Sequence, residues 1–324
     1  MWAQAYEDFQ KKSLNIHYLP SEHGTPRQVS DFHLTAYPAE HRQTVKATFQ
    51  GKLVKIEIKG ITDQKTRRVI RGCVSDFSPQ SRARLFDLFH ALDVKKKPVF
   101  LTLTYGEDYP DARTAKNHLR AFLERIRRLV SRNGTSAIWR MEFQERGAPH
   151  FHIVFFDLPF IKKENIQAMW GEIIGQDAPF TRIELIRRWN GLMFYVSKYV
   201  AKVDDGGEGG SILRDFHADK LLTDEEKELV LSGFISPTYL HAYRKKYGDA
   251  IGRVWGTFNK QFLPFAEKIT REIAYNLSEF MAFRAVAERK YPPIENYLSP
   301  GFRLYVDDAE QWADIFSHFC DRKF

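Results

Sequence analysis

Cysteine is scarce in this chain. Cys73 and Cys320 are the two in 324 residues, far apart, so neither a disulfide framework nor a thiolate zinc site is expected. Long apolar runs are missing as well: the longest, such as residues 151–156, are far too short to span a bilayer. The opening residues Met1-Trp2-Ala3-Gln4 lack the basic-then-apolar layout of a secretory leader. No long internal repeat occurs, and the one low-complexity tract is the acidic, Gly-rich piece at residues 204–210, which reads as a loop. A Gly-x-x-x-x-Gly-Lys-Ser/Thr segment is absent, which excludes a helicase-type nucleotide site of that kind. The expectation is a soluble, cytoplasmic protein with no membrane partner.

What the chain does contain is aromatic and basic. With 26 Phe, 14 Tyr and 6 Trp, nothing in it has the composition of disorder, and its length suffices to bury a sizeable core. The formal net charge is +8, which favours polyanionic partners without proving one. The placement of the basic residues says more. Arg67-Arg68, Arg71, Arg82, Arg84 and residues 95–97 precede the central region; Arg125, Arg127, Arg128 and Arg132 line one helical stretch; Arg187-Arg188 follow. Arg125, Arg128, Arg132, Arg187 and Arg188 are therefore candidates for contacts with a nucleic-acid phosphate backbone.

The central region reads as alternating elements. Residues 98–105 (PVFLTLTY) are β-branched and aromatic and predict a buried strand. Leu119, Phe122, Leu123, Ile126, Leu129 and Val130 recur at helical spacing and stop at Asn133-Gly134. Residues 136–144 and 150–157 predict two strands joined by a short turn at residues 146–148. A helix at 163–173, a strand at 181–186 and a helix at 191–203 follow. This order predicts an α+β core on the split βαβ (ferredoxin-like) plan, an antiparallel sheet with helices on one face. Outside it, residues 44–60 predict a hairpin turning at Gln50-Gly51, residues 79–92 a helix, and Ser236-Pro237 the start of a helix stopped by Gly248. Residues 264–290, with Ile269, Ile273, Leu277 and Phe280 on one side, predict one long helix. Two short helices around residues 232–235 fit ordinary helical packing better than a DNA-binding helix-turn-helix. The expected layout is a β-rich extension at 1–78, the core at 79–205 and a mainly helical region at 206–324.

Chemistry concentrates in two places. His150 and His152 alternate along one strand, so both imidazoles face the same way and can chelate one divalent ion. If residues 146–148 form the turn, Glu142 lies opposite His152 on that face and completes a His, His, carboxylate set. Such N/O ligation suits Mg²⁺ or Mn²⁺ with positions left for phosphate oxygens. Glu145 is the alternative ligand, on the opposite face by parity. Thr102 and Thr104 share a face in the first strand, where they either touch DNA or support the metal, or simply suit a strand. The second place is FYVSKYVAK, residues 194–202, where Tyr195 and Tyr199 stand one helical turn apart and Lys198 and Lys202 follow each by three. A phenol with a pKa of about 10 is a poor nucleophile. A metal-bound phosphate and a lysine near the phenolate offset that. Without the histidine strand, an amphipathic helix with packed tyrosines would be the preferred reading.

Taken together these segments resemble the HUH endonucleases that initiate rolling-circle replication of phages and plasmids. FLTLTY at 100–105 resembles the first family motif, PHFHIVFF at 149–156 the second, and YVSKYVAK at 195–202 the two-tyrosine form of the third. The histidines precede the tyrosines, the reverse of conjugative relaxases. The likeness spans residues 80–205, with a vaguer one at 252–256. It implies a Rep-type initiator that nicks and religates a single-stranded or hairpin origin DNA through a 5′-phosphotyrosine, using a divalent metal, with host helicase and polymerase as partners in a bacterial host cell. The rival readings are a two-tyrosine transposase, a non-catalytic origin-binding protein and a metal phosphodiesterase that uses water.

Overall fold

The computed structural model describes residues 44–59, 77–130, 134–187, 240–274, 276–291, 293–295 and 301–320. Along the chain the described elements are strands β1 (Thr44–Gln50) and β2 (Leu53–Lys59), helix α1 (Pro79–His90), strand β3 (Val99–Thr104), helix α2 (Ala112–Leu129), strands β4 (Ser136–Phe143) and β5 (Pro149–Phe156), helix α3 (Lys163–Ile174), strand β6 (Thr181–Leu185), helix α4 (Leu240–Tyr247), strands β7 (Trp255–Phe258) and β8 (Lys268–Ala274), helix α5 (Leu277–Glu288), strands β9 (Ile294–Glu295) and β10 (Phe302–Tyr305), and helix α6 (Ala309–Cys320). They divide between two compact units: one spans Arg68–Glu267, and the other is drawn from both ends of the chain. No described helix is long and apolar enough to cross a membrane. Both units are mixed α+β with antiparallel sheets.

In the unit drawn from the two ends, β1 and β2 form the expected hairpin, Gln50 pairing with Leu53 across Gly51 at φ 59°. The sheet order is β8-β1-β2-β10-β9. Val45, Ala47, Phe49, Val54 and Ile56 alternate into a core closed by Phe283 of α5 and by Trp312 and Phe316 of α6. The predicted helix over 264–290 does not form. Its first part is β8, whose Ile269 and Ile273 pair with Phe49 and Val45 of β1, and only from Leu277, capped by Asn276, does the chain become helical. Residues four apart share a face in a helix and in a strand alike, so the two isoleucines satisfy both periods. The C-terminal region is therefore not mainly helical: it contributes β7, β8, β9 and β10 beside α4, α5 and α6.

The unit spanning Arg68–Glu267 has the sheet order β6-β3-β5-β4-β7, every described pairing antiparallel. Although α2 joins β3 to β4 in sequence, β5 lies between them. Asp111 starts α2 by accepting from the backbone amides of Arg113 (2.7 Å) and Thr114 (3.1 Å). Leu119, Phe122, Leu123 and Ile126 then form its buried stripe. In α3, Trp170 is fully buried: its ring packs edge-on to Phe122 and Phe151, and its Nε1 donates to the Thr104 carbonyl at 2.8 Å. Helices α2 and α3 thus cover the face of the sheet to which Phe151 points.

The sequence predicts helices on one face alone, and the structure places one on the other face too. Arg140 and Trp255 pair across β4 and β7 on that opposite face. There Trp255 Nε1 donates to Ser81 Oγ of α1 at 2.9 Å, and the Arg140 guanidinium lies 4.7 Å from the Phe77 ring centre just before α1. Leu85, Phe86 and Phe89 of α1 are buried, and an amphipathic helix with such a stripe needs a surface to cover.

The β4–β5 hairpin carries the site, and its loop is three residues, 145–147. The Gly147 amide donates to the Gln144 carbonyl at 2.7 Å, and Gly147 itself has φ 85°, a type I turn closed by a left-handed residue. A Cβ at Gly147 would lie 2.5 Å from the Tyr243 backbone nitrogen of α4. We expect Gly147→Ala to lose at least about 2 kcal/mol, from the positive φ and the clash together. A urea midpoint equal to wild type would show that α4 yields freely.

Candidate metal centre

In β5, Phe151, Ile153 and Phe155 turn towards α2 and α3, and His150 and His152 turn the other way. Thr104 pairs with His150, and Thr102 with His152. On the other side Glu142 pairs with His150, and Arg140 with His152. The sequence-based pairing of Glu142 with His152 is thus two residues out of register, because the turn is 145–147 and not 146–148. A slip of two leaves parity intact, so Glu142 keeps the predicted face. Glu145, the alternative ligand, sits in the loop and is exposed.

The three side chains meet. The imidazole centres of His150 and His152 are 4.5 Å apart at 73°, and Glu142 Oε2 is 3.3 Å from His152 Nε2. His152 stacks on Phe100 with ring centres 5.4 Å apart, and its Nδ1 is 3.4 Å from Thr102 Oγ1. Burial, helped by neighbouring positive charge, holds both imidazoles far below the usual histidine range, at about 3. They are neutral at physiological pH, the form that ligates metal. Burial pushes the Glu142 carboxyl up, to about 7, against the opposing pull of Arg140 and His150. Three polar atoms on this patch are buried without a hydrogen bond: His150 Nδ1, His152 Nε2 and Thr104 Oγ1. Orphaned buried nitrogens are costly, and two on adjacent imidazoles mark a place for a cation.

Among the described residues no group of three or more His, Cys, Asp or Glu side chains forms a ready metal cage. What is present is an open set. The separation of 3.3 Å between Glu142 Oε2 and His152 Nε2 is near the ~3 Å between neighbouring donors around an octahedral ion with bonds of about 2.1 Å. The donors fit Mg²⁺ or Mn²⁺ on that ground.

Arg140, which the sequence does not single out, is part of this patch. It is 2% exposed, and its Nη1 lies 2.7 Å from Glu142 Oε1 as a charge contact, not an aligned hydrogen bond. A glycine at the third loop position was the available signal, since it sets the register that brings Arg140 beside His152. Removing one member of a buried ion pair strands the other. Arg140→Ala should therefore cost about 3 kcal/mol of stability, read by denaturant unfolding; a loss below about 1 kcal/mol would mean that Glu142 is neutral or otherwise compensated.

The remaining candidates disperse. Thr102 and Thr104 are buried on the histidine face. Arg125 and Arg128 lie on α2, which covers the far face, and Arg125 is tied to Glu172 of α3 at 2.6 Å. Arg187 is exposed, just past β6 and about 16 Å further along the sheet than the Thr102 row at ~3.3 Å per residue. Tyr195, Lys198, Tyr199, Lys202, Arg132 and Arg188 lie outside the described residues.

Residues 98–204 match a family of replication-associated proteins, that of the ORF2 type, over a stretch that takes in β3 to β6 and the two tyrosines but less than half the chain. That match indicates a role in replication initiation. No curated protein and no solved structure matches the chain.

Proposed function

We propose that this chain is a rolling-circle replication initiator of the two-tyrosine HUH type, which nicks and rejoins one DNA strand at an origin. The observation that carries this is the pair of neutral imidazoles beside Glu142, each with an unpartnered buried nitrogen, set on the central strands of the stretch that matches the replication-associated family. The placement of β5 between β3 and β4, with α2 connecting the outer two, agrees with the split βαβ plan of such a core.

His150, His152 and Glu142 would hold Mg²⁺ or Mn²⁺, and the bound ion would neutralise charge on the scissile phosphate. The protein groups do the rest. Burial keeps both imidazoles unprotonated, and Thr102 fixes the His152 ring through Nδ1. The phenol oxygen of Tyr195 or Tyr199 forms a bond to phosphorus while the bond from phosphorus to O3′ breaks. The phenolic proton ends on the departing 3′ oxygen, and Lys198 and Lys202 stabilise the phenolate on the way. The products are a 5′-phosphotyrosine and a free 3′-OH for a host polymerase. Because the phosphotyrosine retains the ester bond, rejoining needs no nucleotide triphosphate.

The test is to incubate the protein with single-stranded oligonucleotides tiled across the replicon that encodes it, with Mg²⁺ or Mn²⁺. We expect one oligonucleotide to be cut and to remain attached to the protein through denaturing electrophoresis. Cleavage without attachment would indicate water as nucleophile; binding without cleavage in either metal would indicate a non-catalytic origin binder.

A further inference from the structure

We propose that Arg182 binds a backbone phosphate of the DNA strand lying across the histidine face; this rests on the reading above that the face cuts single-stranded DNA. The argument begins with register. Arg182 of β6 pairs with Thr102, Thr102 with His152, His152 with Arg140, and Arg140 with Trp255. Directly paired residues project from the same face, so one transverse row runs Arg182, Thr102, His152, Arg140, Trp255 across all five strands. Arg182 stands two strands from His152, about 10 Å at ~4.8 Å per strand. A guanidinium on that stem reaches phosphates next to the one at the imidazoles.

Its chemistry suits the role, and other described arginines do not. Arg140, in the same row, is buried and committed to Glu142. Arg125 and Arg128 belong to the far face. The Arg182 side chain is 34% exposed, and its polar partner among the described residues is Glu184 Oε1, 2.5 Å from Nε. That contact orients the guanidinium through one nitrogen and leaves both Nη groups for phosphate oxygens, the forked geometry for which arginine is preferred over lysine. Glu184 lies two residues on in β6, so it shares this face. There it competes with phosphate for the same cation.

The pair therefore makes opposite predictions for its two members. Binding of a fluorescent mixed-sequence single-stranded DNA oligonucleotide is measured by anisotropy over a range of salt, in EDTA so that cleavage plays no part. Arg182→Gln should weaken binding about fivefold or more and flatten the plot of log affinity against log salt by about 0.7, one phosphate contact on a single strand. Arg182→Lys should keep that slope and recover part of the affinity. Glu184→Gln should tighten binding about twofold or more in the wild-type background and give no gain when Arg182 is already Gln, since the coupling runs through Arg182. Lys163→Gln, an exposed charge loss at the start of α3, should leave the slope unchanged. Melting curves of each variant guard against misfolding. Wild-type affinity and slope in Arg182→Gln, or an equal gain from Glu184→Gln with and without Arg182, overturns the proposal. If the wild type binds DNA with these dependences yet forms no adduct with any oligonucleotide, Arg182 stands and the nicking reading falls. If the wild type fails to bind DNA, both fall.

Discussion

A Tyr195→Phe/Tyr199→Phe variant should bind single-stranded DNA as the wild type does and form no covalent adduct at all. Phenylalanine is the appropriate replacement: it deletes the nucleophilic oxygen and keeps the ring for whatever packing the helix requires. The two positions are four apart in YVSKYVAK, one turn of the predicted helix, so both hydroxyls can approach one phosphate in alternation. One tyrosine suffices for a nick. While it is esterified it cannot accept the next strand end, so completing a round and releasing a circle favours a second nucleophile beside the first. The single variants should consequently differ, with Tyr199→Phe the more damaging to the first cut because Lys198 and Lys202 both lie close to Tyr199 in sequence. The decisive measurement is the mass of the DNA-linked tryptic peptide from wild-type protein. Attachment outside residues 195–202, or any adduct from the double variant, would sink the mechanism.

Chelation should abolish nicking, and Mg²⁺ or Mn²⁺ should restore it. His150→Ala and His152→Ala should each lower the rate at limiting metal by more than about a hundredfold, since each removes a direct donor where loss of mere outer-shell partners costs about 10–100-fold. DNA affinity in EDTA should change little in either variant, because affinity comes mostly from phosphate contacts made elsewhere on the surface. The two substitutions are not equal in stability. His152 is buried, stacks on Phe100 and contacts Thr102, and its truncation leaves a cavity. His150 is partly exposed. A thermal melt therefore accompanies each rate, and added Mn²⁺ should stabilise the wild type but neither variant. Undiminished nicking in excess EDTA, or metal-induced stabilisation that survives both substitutions, would remove the imidazoles from the ligand set.

The same residues show where sequence reasoning reaches and where it stops. Glu142 was legible as a companion of the histidines even though its partner across the hairpin was misplaced, because a two-residue slip preserves the face of every side chain. Arg140 was not, since the same slip decides which residue lies directly opposite His152. Arg182 was hidden for a different reason: runs of basic residues draw attention in a sequence, and an isolated arginine in TRIEL does not. The runs themselves lie elsewhere or are spent on local ion pairs, as Arg125 is on Glu172.

Alternation and helical spacing alone determined β3, α2, β4, β5, α3 and β6, along with the fact that His150 and His152 share a face. Each is a local consequence of periods two and 3.6 over several consecutive residues. Only the tertiary structure decided that Ile269 and Ile273 belong to a strand, because four-residue spacing fits both periods and pairing with β1 breaks the tie. The same holds for α1 on the histidine face and for the joining of β1 and β2 with β8 to β10, near the other end of the chain. Long-range pairing depends on which surfaces are left to bury once the local elements exist, and that information is spread over the whole chain rather than written in any one segment.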